Sequence, residues 1–223
     1  NGGYQVQAQL DWLENVLEDA CLNENIDFVF AQLHHPFKSE LWTPGENNYT
    51  GDVIGRMENF TDECGKPSIH FFGHTHGYSR GQSHDHNHLW VNVATAGGAI
   101  DHWGEYPQAD YSEFTVTQDE WGFVLVEIEA GENPQFELKR IRRGNENTFR
   151  DNELRDQIVV RLNNTIPNRP IGFELNNLQD PDFLTFKKYF SQSLIDFLSG
   201  QKNGFFLISF SFHLFFLQLR RPN

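Results

Sequence analysis

A chain of 223 residues, 38% of them apolar, can bury one sizeable core, or one core and a small additional piece. Its formal net charge of −14 repels nucleic acid and anionic membranes, so neither is an expected partner. A phosphate substrate would meet the same repulsion unless local cations overrode it. Residues 5–20, "QVQAQLDWLENVLEDA", put Leu10, Leu13, Leu17 and Cys21 on one stripe with acids opposite, which predicts an amphipathic helix. "NEN" at 23–25 stops it. "IDFVFAQL" (26–33) then reads as a buried strand, ended by "HHP", where Pro36 cannot continue a ladder.

Residues 37–51 are turn-rich and predict a surface loop, and "DVIGRMENFTDECG" (52–65) a second helix closed by Gly65. "KPSIHFF" is another buried strand, followed by the loop "GHTHG". The strand "LWVNVATA" (89–96) leads into a polar, aromatic loop, "AIDHWGEYPQADYSEF". "GFVLVEIEA" and "PQFELKRIRR", alternating around "GENP", predict a β-hairpin. This order predicts an α/β layered domain, with a site built from loops at strand ends, over residues 1–143. Residues 144–172, rich in charge, Asn and Pro, read as a polar linker.

Residues 173–223 form a Phe-rich tail with no assignment. Its last apolar run falls short of the roughly 20 residues that span a bilayer, so a buried strand pair, a membrane-surface segment and a non-native reading-frame tail all fit it. Cys21 and Cys64 are too few for a disulfide framework, and one bridge or two separate thiols both fit. The chain begins at Asn1 with no methionine and no visible signal peptide, and "NGGYQVQ" reads as the middle of something longer.

The chemistry concentrates in histidine. Five of the ten (His74, His76, His84, His86 and His88) crowd into one stretch. A His-x-His pair in extended backbone sends both rings to one side, where they suit one divalent metal or two metals about 3.5–4 Å apart. His34 also ends an apolar strand, and the carboxyl ends of neighbouring parallel strands converge on one edge. His34, His74 and His76 are therefore the predicted metal ligands. His35 reads as a supporting or solvent-facing group. "HDHNH" (84–88) reads as a hairpin tip rather than a further site. Trp90, Trp103 and Trp121 read as packing groups, with Trp103 and Tyr106 also placed to line a cleft.

Four ordered segments, "QAQLDWLENVL", "DFVFAQLHHP", "SIHFFGHTHGYSR" and "LWVNVATAGGAID", resemble the C-terminal half of calcineurin-like metallophosphoesterases, the purple acid phosphatase-like branch above all. The likeness covers roughly residues 5–143. It implies an α/β/β/α metallophosphoesterase sandwich whose N-terminal half is missing from this chain. It also implies two metal ions (Zn, Fe or Mn), with His34 and His74 on one and His76 on the other. The full-length protein would then cleave phosphoesters by attack of a metal-activated hydroxide, and it would be secreted or periplasmic.

The family's Asp-x-His, Gly-Asp-x-x-Asp and Gly-Asn-His segments are not in these 223 residues, so the chain alone is expected to be inactive. Arg80 and His35 are the candidates here for catalytic roles. Arg80 would support substrate or a neighbouring loop, or else form a surface salt bridge. The loop at 37–50 lacks the histidine that this branch often places near the leaving group and offers only Lys38 and Glu40, which leaves the general acid unassigned. The competing expectation is a non-catalytic secreted protein that holds one zinc and a ligand.

Overall fold

The computed structural model describes residues 6–129, 134–148 and 150–162, with the backbone of 216–218. Helix α1 (Val6–Leu22) buries Leu10, Leu13, Leu17 and Ala20, the spacing of one helical face. Helix α2 spans Asn48–Cys64 and begins four residues ahead of the predicted start. The cause is Asn47, whose side-chain oxygen accepts from the Tyr49 amide at 2.8 Å and caps the first turn. Gly65 ends the helix at φ 67°, with its N–H on the Thr61 carbonyl.

Two sheets follow. The larger contains β1 (Val29–Gln32), β2 (Ser68–Phe72), β3 (Tyr78–Gln82), β4 (His88–Val93), β5 (Phe114–Gln118) and β9 (Phe216–Gln218). Their order is β5-β3-β4-β2-β1-β9. β1, β2 and β4 run parallel, while β3, β5 and β9 pair antiparallel with their neighbours. The smaller sheet is an antiparallel meander of β6 (Trp121–Glu129), β7 (Gln135–Gly144) and β8 (Glu153–Arg161).

Strand alternation decides which layer each residue joins. Val29 and Ala31 pack with Leu10, Leu13, Leu17, Val53 and Met57 of the helices. Phe28, Phe30, Ile69, Phe71, Leu89 and Val91 point the other way, against Val124, Val126, Phe136, Leu138, Ile158 and Val160 of the meander. The result is a mixed α/β fold with both helices on one face of the larger sheet and the smaller sheet on the other.

Two expectations change and one open alternative is decided. Residues 153–161, read as part of a linker, form β8 and supply Ile158 and Val160 to the core, so the folded unit continues past residue 143. Charge on the outward side of "ELRDQIVVR" hides its alternation. β5 begins at Phe114, the last residue of the predicted aromatic loop, and runs through residues with no predicted element. Cys21 and Cys64 are joined, with Cα atoms 5.4 Å apart, and tie the end of α1 to the end of α2 across 43 residues. A bridge over a loop of that length contributes about 3–4 kcal/mol in the chain-entropy description. The tail at 173–223 lies outside the described residues, apart from the backbone of β9.

A line of buried polar groups crosses the helix-facing side of the larger sheet. His70 Nδ1 lies 2.9 Å from His88 Nε2, His88 Nδ1 lies 2.7 Å from Ser68 Oγ, and Ser68 Oγ lies 2.6 Å from Thr61 Oγ1 of α2. Both imidazoles are fully buried.

In the meander, Gly122 lets backbone and cation meet. A Cβ there would fall 2.2 Å from the Ile141 carbonyl oxygen and 2.3 Å from Arg140 Nη1. The carbonyl belongs to the β7 ladder and cannot retreat. Gly122→Ala is expected to lose about 1–3 kcal/mol, read as a lower thermal midpoint. An unchanged midpoint would show that the strands have slack at this crossing.

Candidate metal centre

His34 lies just past the end of β1 and His74 just past the end of β2, adjacent parallel strands. The pairing continues beyond the strands: the Leu33 amide donates to the Phe71 carbonyl at 2.9 Å, and the Gly73 amide to the His34 carbonyl at 3.1 Å. The two histidine backbones are thus stitched together before their side chains meet. His34 Nε2 and His74 Nδ1 stand 3.2 Å apart. The His35 ring closes the group, 4.7 Å from the His34 ring and 4.3 Å from the His74 ring. One nitrogen from each of His34, His35 and His74 lies within 4.8 Å of the others.

His76 stands beside this cluster, not within it, and the reason is local backbone. His74 has φ 68°, the one non-glycine residue with positive φ among the described residues. The pair is therefore not extended, and the period-two rule that would align the two rings does not apply. The Thr75 amide reaches back to the Gly73 carbonyl at 2.8 Å and the Gly77 amide to Thr75 at 3.0 Å, two successive tight turns. Thr75 anchors the loop: its hydroxyl accepts from Ser39 Oγ at 2.8 Å and its carbonyl accepts from the buried Asn92 amide at 3.0 Å. The His76 backbone is held by Asp101, with N to Oδ2 at 2.7 Å, and its ring faces Gly98.

His35, read from the sequence as a supporting or solvent-facing group, instead turns into the cluster, although neighbours on a strand would face opposite ways. β1 ends at Gln32, so that constraint has lapsed by residue 35. The doublet "HH" beyond a strand end was the available signal.

Burial, followed by the neighbouring rings of His35 and His76, holds the His34 pKa below its ordinary value. Burial also lowers His74, with His35, His34 and His76 adding to the effect and Asp101 opposing it. Both rings therefore favour the neutral state, the form that ligates metals.

The other candidates are committed elsewhere. Arg80 is 2% exposed and spans the two sheets. Its Nε donates to Asp156 Oδ2 at 2.5 Å and its Nη2 to Oδ1 at 2.7 Å, while the Tyr78 hydroxyl donates to Oδ2 at 2.6 Å. It is a buried cation clamped between the sheets, not a surface salt bridge. Lys38 pairs with Glu113 at 2.5 Å, and Glu40 accepts from the Tyr111 amide at 3.1 Å, so both serve the loops. "HDHNH" divides as its hairpin position requires. His84 meets Ser112 at 2.9 Å, His86 meets Asp62 at 2.7 Å, and His88 enters the core. Trp90 is buried, whereas Trp103 and Tyr106 are exposed.

No protein-family model matches the chain, and no curated protein sequence matches it. Solved structures that resemble it include GAP50, described as the anchor in the inner membrane complex of Plasmodium. That likeness has 12% identity and a TM-score of 0.45, over 70% of this chain and 46% of that one. PhoD is similar at 12% identity and a TM-score of 0.49, over 85% of this chain and 41% of that one. The chain spans less than half the length of either. At these scores neither likeness bears on the chemistry of the site.

Proposed function

We propose that this chain forms the C-terminal part of a metallophosphoesterase-like hydrolase, in which His34, His35 and His74 hold a metal ion and His76 serves a second. The observation that carries the reading is the meeting of three ring nitrogens within 4.8 Å at the ends of adjacent parallel strands. Three imidazoles fit a borderline-soft cation, zinc before iron or manganese, and leave a coordination position open. Bound cations would neutralise phosphoryl charge and acidify a water near neutral pH. The chain's own residues fix the ligand geometry: Thr75 and Asn92 hold the loop, and Asp101 sets the His76 backbone.

Under this reading, the α/β/β/α sandwich is completed by elements outside the described residues, and those elements bring the missing carboxylate and asparagine ligands. The disulfide is compatible with a secreted or periplasmic protein.

The backbone at His74 separates function from stability. A non-glycine residue at positive φ costs about 1–2 kcal/mol, a cost that persists where a site requires it. His74→Gly is expected to weaken zinc binding by at least about 100-fold while the metal-free protein melts no lower than the wild type. His34→Ala should weaken zinc binding similarly. Calorimetric zinc titration and thermal melts in chelator check both. Undiminished zinc affinity in His34→Ala and His74→Gly would end the metal-centre reading.

A second reading is supported by the donor set itself: three imidazoles can hold a single zinc without the upstream carboxylates. Turnover of an aryl phosphate by a longer chain carrying the upstream ligand segments distinguishes the two. Zinc binding without turnover there would favour the non-catalytic protein.

A further inference from the structure

Beside the histidine cluster, the loop after β1 and the loop after β4 are fastened together. The Thr43 amide and hydroxyl both donate to the Pro107 carbonyl, at 3.0 and 3.2 Å. The Tyr111 hydroxyl donates to Glu46 Oε1 at 2.8 Å. Held by these contacts, the Trp42 indole lies 4.9 Å from the His74 ring and 6.1 Å from the Tyr106 ring, which is 41% exposed. Gly45 fixes the indole from beneath: a Cβ there would fall 2.6 Å from Trp42 Cε3 and 3.1 Å from His74 Cδ2. Two aromatic faces therefore lead from the cluster toward solvent.

Aromatic surface alone would accept a flat ring, an alkyl chain or an organic cation. Charge chooses among them. The segments 38–47 and 97–113, which build this wall, contain Glu40, Glu46, Asp101, Glu105, Asp110 and Glu113 against a single Lys or Arg, Lys38, which pairs with Glu113 and leaves the other five carboxylates in excess. Glu105, by charge and by a hydrogen bond at the hydroxyl, and then Asp101 hold the Tyr106 pKa above its ordinary value, and Glu105 is the neighbour of Tyr106 in the chain, with Oε2 on the His102 amide at 3.1 Å. A second anion would be repelled here, and a neutral ring gains nothing from the carboxylates. An ammonium group gains from them and from the ring faces.

We propose that Trp42 and Tyr106, with Glu105 and Asp101, form a subsite for an organic ammonium group on the substrate, a phosphoester of an amino alcohol or quaternary ammonium alcohol. The phosphoester half rests on the function proposed above. The ammonium half does not, because it requires no metal.

The test is an NMR titration of the full chain, following the Trp42 indole N–H. The probes are tetramethylammonium, choline, phosphocholine, phenyl phosphate and inorganic phosphate, each with zinc and with chelator. Tetramethylammonium and choline are expected to shift Trp42 saturably under both conditions. Tyr106→Ala and Glu105→Gln, both changes at exposed positions, should each weaken that binding about tenfold. With zinc, phosphocholine should bind more tightly than choline. If the two bind equally, the subsite stands and the phosphoester reading falls. A shift with phenyl phosphate and none with ammonium probes, or ammonium binding indifferent to both variants, overturns the subsite.

Discussion

Asp156→Ala is expected to be among the most damaging single substitutions in this chain, lowering stability by about 3–5 kcal/mol. Asp156 lies on β8 and is 6% exposed, and it takes both arms of the Arg80 guanidinium together with the Tyr78 hydroxyl of β3. Burial alone would lower the Arg80 pKa, but the hydrogen bonds and charge of Asp156 outweigh it and raise the pKa above its ordinary value. Without the carboxylate, the guanidinium stays charged between the sheets and loses the partner that offset its desolvation. Arg140 stacks 4.9 Å over the Tyr78 ring, so a second buried cation then stands close by. The urea midpoint should fall with little change in slope. Arg80→Met combined with Asp156→Leu and Tyr78→Phe should recover most of the loss, because the apolar set carries no desolvation penalty and leaves no buried hydroxyl without an acceptor. By contrast, removing the partly exposed Lys139–Glu127 pair should change stability by less than about 1 kcal/mol. If Asp156→Ala were equally mild, water would have to reach Arg80, and the packing of the two sheets would be wrong.

This clamp also marks what the sequence could not display. Asp156 lies 76 residues from Arg80, in a stretch whose charge resembles a linker, and no local pattern links the two. The same blindness left the Cys21–Cys64 bridge undecided, since pairing depends on how α1 and α2 dock. Strands whose apolar residues run together, "DFVFAQL" and "SIHFF", were legible because burial on both faces removes polar interruptions. The site was legible where it depends on those strands. His34 and His74 meet because parallel strands place their ends side by side. It was not legible where it depends on dihedral angles: the positive φ at His74 turns His76 aside, and the end of β1 frees His35 to turn in. The aromatic wall required two loops to be joined at Thr43 and Pro107, a contact between positions 64 apart in the chain.

The second large effect is expected in acid. Burial holds the His70 pKa well below its ordinary value, and the His88 ring beside it adds to this. Burial likewise lowers His88 to about 3, against a partial offset from Ser68. In the unfolded chain each would titrate at about 6.5. Above that pH both states are neutral and the buried network's stability is fully present. Below it the unfolded chain takes up protons that the folded core refuses, so stability falls as pH drops from 6.5 toward 3. Each such histidine steepens the loss by about 1.4 kcal/mol per pH unit. His34 and His74 shift the same way but are partly solvated, and surface His102, raised by Asp119 and Glu146, acts in the opposite direction. The paired carboxylate of Glu113, lowered from 4.5 because Lys38 outweighs its burial, contributes only at lower pH. The larger part of the drop between pH 6.5 and 4.5 therefore belongs to the buried pair, with a smaller part from His34 and His74. His70→Phe is the discriminating variant, because the ring already packs 5.2 Å from Phe72 and 5.5 Å from Trp90. It should be less stable than the wild type at pH 8, where His88 Nε2 loses its partner. Its decline from pH 6.5 to 4.5 should nevertheless be shallower by about one proton. Equal slopes in the two proteins would mean that His70 already takes a proton in the folded core. A wild type that holds its stability to pH 4.5 would place the acid limit of the fold outside this network altogether.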